Sequence, residues 1–256
     1  MTRFSLEGKK GLIVGIANDD SIAYGCAKAL KEQGAELAIT YLNEKAKPFV
    51  EPLANELKAE IFLPCNVSKQ EDIDQLFNSL QEKWGSIDFM IHAVAFAPLE
   101  DLHGKLIDSS RDGFLMAMDI TCHSFIRLAK KSASLMQNGG SIFTMSYIGS
   151  EKVIENYNLM GPVKAALESS VRYLASELGP SAVRVHAISP GPIMTRAASG
   201  ISEFDSLLEK AIAKTPLSKT LDIDDVGSLV AFLASDNATA LTGNLIHIDC
   251  GYHVVG

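Results

Sequence analysis

Tyr157 and Lys164 are the pair of residues whose types and spacing point most directly to chemistry. Both fall in an amphipathic stretch, Tyr157 to Leu178, whose apolar residues recur at helical spacing. A separation of seven residues would place the two side chains two turns apart on nearly one face of a helix. A phenol near a lysine ammonium can donate to a developing oxyanion, because the cation favours phenolate-like character. The spacing alone fits an interfacial tyrosine and a solvated lysine equally well, so the surrounding fold must decide.

The beginning of the chain carries the signals of a nucleotide site. Gly15 ends an apolar run and permits a tight turn. Backbone N–H groups near Ser21 and Ile22, together with the Ser21 hydroxyl, open the next helix and can bind a pyrophosphate. Two glycines of the G-x-G-x-x-G pattern are missing, so the alternative is a plain strand–helix turn capped by Ser21. The strand before and the helix after favour dinucleotide binding.

The next two strand ends would face the adenosine half of a dinucleotide. Leu42 supplies no charge to a ribose, whereas Glu44 would disfavour a 2′-phosphate and Lys45 would attract one. The balance favours NADH over NADPH. Asn66 and Val67 end the third apolar run, where an amide can pair with the adenine edge and valine can pack on the ring. The alternative for Asn66 is an asparagine that caps its own loop.

Short apolar runs alternate with longer amphipathic stretches along the chain. The runs are rich in Ile, Val and Leu with little polar alternation, as in strands covered on both faces. Predicted strands are Gly11 to Ile16, Glu36 to Tyr41, Glu60 to Cys65, Ile87 to Ala95, Gly140 to Met145, Val183 to Ile188 and Asn244 to Asp249. Predicted helices include Ser21 to Gln33, Gln70 to Trp84, Gly113 to Met136 and Tyr157 to Leu178.

This alternation predicts an α/β fold, a Rossmann-like, doubly wound parallel sheet of about seven strands with helices on both faces. Without a linker or repeat, residues 1–256 form one dinucleotide-binding and catalytic domain. Residues 195–215 interrupt the rhythm. They fit either an ordinary surface helix or a lid over the substrate.

Composition excludes several classes of protein. With 256 residues, 47% of them hydrophobic, the chain can bury one large core. A net charge of -8 argues against partners such as nucleic acid or anionic lipid. The four scattered cysteines indicate reduced thiols, and the histidines share no metal-ligand spacing, so no metal is expected. No leader or apolar run of membrane-spanning length is visible, so a cytoplasmic protein is expected.

Together these motifs resemble the short-chain dehydrogenase/reductase family, and within it the bacterial enoyl-acyl-carrier-protein reductases of type II fatty-acid synthesis. Ordinary members place tyrosine four residues before the lysine, where this chain has Met160. The enoyl reductases use Tyr-x6-Lys instead, matched by Tyr157 and Lys164, with a further tyrosine matched by Tyr147. Other matching stretches are Gly15 through Gly25, His92 through Pro98, Asn156 through Asn158 and Gly191 through Thr195, in family order over essentially the full chain.

The resemblance implies a role for each matched position. Tyr157 would hydrogen-bond the thioester carbonyl, Lys164 would hold the nicotinamide ribose, and Tyr147 would line the same pocket. The implied cofactor residues are Gly15, Ser21, Ile22, Leu42, Asn66, Val67, Val94, Lys164, Ile193 and Thr195. The implied substrate residues are Ala97, Tyr147, Tyr157, Met160, Ile201 and Phe204. The implied activity is NADH-dependent reduction of the trans-2 double bond of enoyl-acyl-carrier-protein, the last step of fatty-acid elongation, in a homotetramer.

Three departures and two rival functions accompany this resemblance. Many relatives have glutamine where Leu42 stands and aspartate where Asn66 stands, which alters the expected adenosine contacts. Relatives also often have serine and glycine in the stretch His92 to Ala95, where this chain has alanines. One rival is a 3-oxoacyl or other carbonyl/alcohol oxidoreductase of the same fold, which would need a proton donor at Met160. The other rival is a regulator that senses the NADH/NAD ratio without turnover, and retention of both tyrosines and the lysine argues against it.

Overall fold

A seven-stranded, all-parallel sheet forms the centre of the protein in a computed structural model that describes residues 4–195, 204–217 and 219–255, except the side chains of 204–207. The strands are β1 (Lys10–Val14), β2 (Glu36–Tyr41), β3 (Ile61–Pro64), β4 (Phe89–His92), β5 (Gly140–Met145), β6 (Val183–Pro190) and β7 (Leu245–Ile248). Their order is β3-β2-β1-β4-β5-β6-β7, so the chain winds outward in both directions from the boundary between β1 and β4. The predicted Rossmann-like sheet is confirmed.

Helices cover the sheet on both sides. They are α1 (Ile22–Glu32), α2 (Lys47–Glu56), α3 (Gln70–Trp84), α4 (Leu99–His103), α5 (Arg111–Met118), α6 (Ser124–Leu135), α7 (Met160–Leu178), α8 (Phe204–Lys214) and α9 (Ile223–Ala234). No helix in the described ranges has the length and apolarity needed to cross a membrane. The segment expected to act as a lid contains α8, and residues 196–203 lie outside the described residues.

Two hydrophobic clusters lie on opposite faces of the sheet, because neighbouring residues of a strand point to opposite sides. In β1, Leu12 and Val14 contribute to the cluster under α3, α6 and α7. Ile13 contributes to the other cluster, under α1 and α9. Residues with no exposure at all, such as Leu12 and Ile13, occupy the strand centres. The apolar runs therefore predicted the strands well because both of their faces are buried.

Glycines allow α1 and α9 to pack very closely. A Cβ atom on Gly25 would lie 2.3 Å from the backbone oxygen of Ile223, and one on Gly227 would lie 2.4 Å from the oxygen of Gly25. No side chain fits at such distances. Gly25, noted above as part of the nucleotide-binding stretch, thus fixes how α1 sits against α9.

The predicted helix Gly113 to Met136 corresponds to a continuous helical stretch from Arg111 to Leu135. A π-helical turn, Asp119–His123, separates α5 from α6. Thr121 in this turn binds the backbone of Phe96, accepting from its N–H at 3.1 Å and donating to its oxygen at 3.3 Å. Such turns insert one residue into a helix and re-aim a side chain, often beside a functional site. Here the turn anchors the loop that follows β4. The predicted fourth strand, Ile87 to Ala95, is correspondingly shorter at Phe89–His92.

Candidate active site

A cleft of about 760 Å³ opens at the carboxyl ends of the parallel strands, where open α/β sheets bind their ligands. It brings together nearly all the predicted site residues. Those lining it are Gly15, Ser21, Ile22, Leu42, Val67, Val94, Ala97, Tyr147, Tyr157, Met160, Lys164, Ile193 and Thr195. Ile201 and the side chain of Phe204 lie outside the described residues. Asn66 is not among the lining residues.

The turn after β1 requires glycine because it passes close to the backbone that follows β4. Gly15 has φ of 118°, and a Cβ atom there would lie 2.3 Å from the backbone oxygen of Ala93. Only glycine satisfies both conditions. The Ser21 hydroxyl accepts from the N–H groups of Ala17 and Asn18, at 3.0 and 3.1 Å, so it shapes the turn itself. It is buried at the start of α1.

Asp19 and Asp20, whose charges would repel a pyrophosphate inside the groove, are both exposed. They lie in the turn between β1 and α1 and do not line the cleft. The nucleotide turn therefore presents backbone and small side chains to the cleft, and its negative charges face solvent.

The part of the cleft expected to receive adenosine is largely uncharged. Leu42 lines it with 53% of its surface exposed, and Val67 lines it from the buried side. Glu44 accepts a hydrogen bond from the Tyr41 hydroxyl at 3.2 Å. The Asn66 side-chain oxygen accepts from Ser68, at 3.0 Å from its N–H and 2.8 Å from its hydroxyl. Asn66 thus adopts the geometry of the loop-capping alternative.

Tyr157 precedes helix α7, so the expectation that it lies on the same helix as Lys164 is wrong. Helix α7 begins at Met160. The residues on either side of Tyr157, Asn156 and Asn158, have φ of 63° and 38°, in the left-handed region that interrupts a helix and that asparagine tolerates. The apolar periodicity continues through this turn, which is why it was predicted as helix.

The ring of Tyr157 is held in the cleft by close packing. A Cβ atom on Gly149 would lie 2.3 Å from its Cδ1, so only glycine fits beside it. The ring meets that of Tyr147 edge-on, with centroids 4.9 Å apart and planes at 62°. The two predicted tyrosines are therefore neighbours, although ten residues separate them in sequence.

Burial raises the pKa of both phenols well above the ordinary value. For Tyr157, Tyr147 and Glu168 add to the effect of burial. The predicted phenolate-like character is therefore absent in the free protein. Both hydroxyls remain protonated near neutral pH and can act as hydrogen-bond donors.

Lys164 lies in α7 with 5% of its surface exposed, and its Nζ donates to the Met145 carbonyl at 2.7 Å. Burial lowers its pKa to about 8, and Glu168 and then Cys122 oppose that shift. A buried lysine with this pKa changes its charge within the range in which enzymes are assayed.

Glu168 and two serines form a part of the site that sequence reasoning missed. The carboxylate of Glu168 is buried one helical turn beyond Lys164. Its Oε1 accepts from the hydroxyls of Ser146 and Ser150, the latter at 2.5 Å. Ser146 was not among the predicted site residues, and an acid in an amphipathic stretch is normally expected on the solvated face of a helix. The only available signal was the helical spacing of Glu168 from Lys164.

Two histidines lie in the core and differ in their hydrogen bonding. His92 is buried with both ring nitrogens partnered, by Thr144 at 3.1 Å and Ser124 at 2.8 Å, and burial lowers its pKa to about 3. His186 is also buried and stacks on Phe143, but its ring nitrogens have no hydrogen-bond partner in the part of the chain that the structure describes.

His247, Asp249 and His253 cluster in space, which their spacing in sequence did not indicate. The two rings stack 4.2 Å apart at 10°. Because the ring planes are nearly parallel, the in-plane lone pairs of their nitrogens do not converge on one point. Asp249 already accepts from the backbone N–H of Gly251 at 3.0 Å and of His253 at 2.8 Å. We interpret the cluster as a structural one, whose ring stack and hydrogen bonds hold the C-terminal turn in place.

The chemistry available in the cleft is narrow. Two phenols and one ammonium reach it, and no carboxylate or imidazole lines it among the described residues. Such groups can stabilise an oxyanion and bind hydroxyls, which is what hydride transfer to or from an oxygen-bearing substrate requires. Fold and site together define a nucleotide-dependent oxidoreductase of the Rossmann type.

Comparison with known proteins specifies the family. The family model described as "Enoyl-(Acyl carrier protein) reductase" matches residues 15–253. The chain belongs to this family.

Its relatives match over nearly their full length. The chain is 49% identical over 251 residues to the enoyl-[acyl-carrier-protein] reductase [NADH] 1 of Rhizobium meliloti, covering 98% of this chain and 92% of the relative. The Anaplasma phagocytophilum reductase, solved in complex with NAD, is 51% identical with a TM-score of 0.94, covering 98% and 96%. The Bacillus cereus enzyme, solved with NADP+ and an indole naphthyridinone, is 42% identical with a TM-score of 0.95, covering 98% of each chain.

Proposed function

We propose that this protein reduces the trans-2 double bond of enoyl thioesters carried by acyl carrier protein, using NADH, as the last step of the fatty-acid elongation cycle. The observation that carries the proposal is the placement of three residues in one cleft. Tyr157 and Lys164 line it, and Met160 occupies the position where carbonyl-reducing members have their tyrosine. A thioether cannot donate a proton, so the available donor is the phenol of Tyr157.

The cleft suits a dinucleotide without a 2′-phosphate. The turn at Gly15 and the start of α1 after Ser21 present backbone N–H groups that would bind the pyrophosphate. Lys164 is the single basic side chain among the described residues that line the cleft, and it lies at the catalytic end. Lys164 would hold the ribose next to the nicotinamide, while Leu42 and Val67 would border the adenosine. When bound, the reduced nicotinamide supplies a hydride.

The residues of this chain provide the rest of the reaction. Tyr157 donates a hydrogen bond to the thioester oxygen and stabilises the negative charge that develops there. Tyr147 packs edge-on against that ring and limits its movement. The charge on Lys164 favours the same oxyanion, and the burial of Tyr157 and Lys164 strengthens these interactions.

The substrate side of the cleft is apolar. Ala97, Leu102 and Met160 line it, as expected for an acyl chain that gains about 0.8 kcal/mol per buried methylene. Ile201 and Phe204 are proposed to complete this wall, and residues 195–215 are proposed to form its lid.

The protein is proposed to work in the cytoplasm as a homotetramer. Support comes from the family and from the apolar side chain of Val254 at the C-terminal turn, which has 69% of its surface exposed. Light scattering on the purified protein would give the oligomeric state.

One assay separates this function from its rivals. Purified protein is mixed with NADH and either a trans-2-enoyl thioester or a 3-oxoacyl thioester, each on acyl carrier protein and on coenzyme A. Loss of reduced-nicotinamide absorbance with the enoyl substrate alone supports the proposal. Loss with the 3-oxo substrate alone identifies a carbonyl reductase, and NADH binding without turnover identifies a sensor.

A further inference from the structure

Lys164 is surrounded by groups from several elements, and Glu168 differs from the others in its charge. The titratable groups facing Lys164 are Glu168 on its own helix, Cys122 on the π-helical turn and His92 on β4. Tyr157 faces it from the turn before the helix. His92 is neutral because burial lowers its pKa to about 3. Burial raises the pKa of Cys122, which keeps the thiol protonated.

Residues four apart on a helix share one face, so Glu168 lies directly beyond Lys164. Among the described groups that interact electrostatically with Lys164, it is the one that brings a carboxylate. It is 6% exposed, so its field is little screened by water.

The carboxylate of Glu168 is fixed from outside its helix. Ser146 and Ser150 both donate to its Oε1. These serines flank Tyr147, and Ser150 Oγ also lies 3.0 Å from the Tyr147 carbonyl oxygen. The carboxylate of Glu168 therefore contacts the segment that carries Tyr147. It also faces Lys164, which supports the oxyanion together with Tyr157.

We propose that Glu168 is a positioning residue of this site, which keeps Lys164 in its ammonium form and ties the Tyr147 segment to α7 through Ser146 and Ser150. The inference rests on the proposed function, in which Lys164 binds the cofactor ribose and supports the oxyanion. Glu168 itself does not line the cleft. Its effect therefore reaches the reaction through Lys164 and Tyr147.

The decisive variant is Glu168→Gln, which removes the charge and keeps an oxygen that can accept from both serines. The measurement is kcat/KM for NADH between pH 6 and 10, which reports ionisations of the free enzyme. The alkaline limb, set by Lys164 near pH 8, should move down by about 1 pH unit. Activity should then be about fivefold below wild type at pH 8 and close to wild type at pH 6.

Three control variants test whether the alkaline limb of kcat/KM reports the ionisation of Lys164. Lys164→Arg should abolish the limb, because arginine stays charged throughout this range. Glu177→Gln removes an exposed acid from the same helix and should leave the limb in place. Glu168→Asp keeps the charge, so its limb should stay within about half a pH unit of wild type while kcat falls. If Glu168→Gln does not fold, the aspartate variant decides alone, and a limb displaced by a full unit would overturn the inference.

NADH affinity measured across the same pH range separates this inference from the proposed function. A wild type that binds NADH but reduces no enoyl thioester contradicts the function. The inference is still tested in that case, by whether Glu168→Gln shifts the pH dependence of binding. An unshifted limb in a folded Glu168→Gln protein overturns the inference, whatever the loss of kcat.

Discussion

The two ends of the cleft are built from different materials. The nucleotide end consists of backbone and small or uncharged side chains, such as Gly15, Ser21 and Leu42. The catalytic end gathers ionisable groups that are less than 10% exposed, including Tyr157, Lys164 and, behind them, Glu168. The nucleotide end would therefore bind its ligand through close packing and backbone hydrogen bonds. The catalytic end would act through ionisable groups that have little contact with water.

This difference predicts which kinetic or binding constant a substitution at each end should change. A backbone cradle with few charges contributes binding, and a substitution there should change affinity with little effect on the chemical step. Buried ionisable groups depend on one another for their protonation states, so a substitution there should change turnover and its pH dependence. Lys164, at the catalytic end, would serve both binding and chemistry, since it would hold the nicotinamide ribose and support the oxyanion.

The largest expected effect is the loss of the Tyr157 hydroxyl. Tyr157→Phe keeps the ring that packs on Gly149 and Tyr147, but it removes the donor to the thioester oxygen. We expect kcat to fall about 100-fold, with the Kd for NADH changed by less than about twofold. Steady-state rates and fluorescence titration with NADH measure the two. Tyr173→Phe, at an exposed tyrosine of helix α7, is the matched control. Equal losses of affinity and turnover would show that the two ends are not separate.

A smaller effect, on both NADH affinity and pH dependence, is expected from Lys164→Ala. It removes a buried charged donor worth about 2 kcal/mol, so the Kd for NADH should rise about thirtyfold. The variant should also lose the alkaline limb near pH 8, because the group that titrates there is gone. Isothermal titration at pH 7 and pH 9 measures the loss, with Lys130→Ala as an exposed lysine control. Unchanged affinity at both pH values would remove Lys164 from the cofactor site.

The nucleotide end was largely predictable from sequence because its determinants are local. Apolar runs buried on both faces gave strands with correct bounds at Glu36–Tyr41 and Gly140–Met145. The strand-to-helix context of Gly15 and Ser21 placed both on the cleft. The exception is Asn66, whose amide is engaged by Ser68. Sequence left both orientations open, since the same side chain can cap its loop or face the ligand.

The catalytic end was less predictable because its geometry depends on contacts between distant segments. Periodicity cannot register the left-handed conformations of Asn156 and Asn158, so Tyr157 was placed on a helix it precedes. In the π-helical turn, Thr121 binds the backbone of Phe96, 25 residues earlier in the chain, a contact that local periodicity does not encode. Glu168 reads as a surface residue until the fold covers it with Ser146 and Ser150.

The smallest expected effect is on the preference between NADH and NADPH. It depends on the nucleotide end alone. Leu42 is 53% exposed at the adenosine rim, so Leu42→Arg would place a cation where NADPH carries its 2′-phosphate. An ion pair exposed to water contributes at most about 1 kcal/mol, so the ratio of kcat/KM for NADPH to that for NADH should rise up to about fivefold. Leu42→Gln, similar in length but uncharged, should leave the ratio near wild type. The kcat with NADH should not change in either variant, since no group at the catalytic end has moved. A fall in that kcat without a change in the ratio would mean that the adenosine rim is coupled to the buried charges after all.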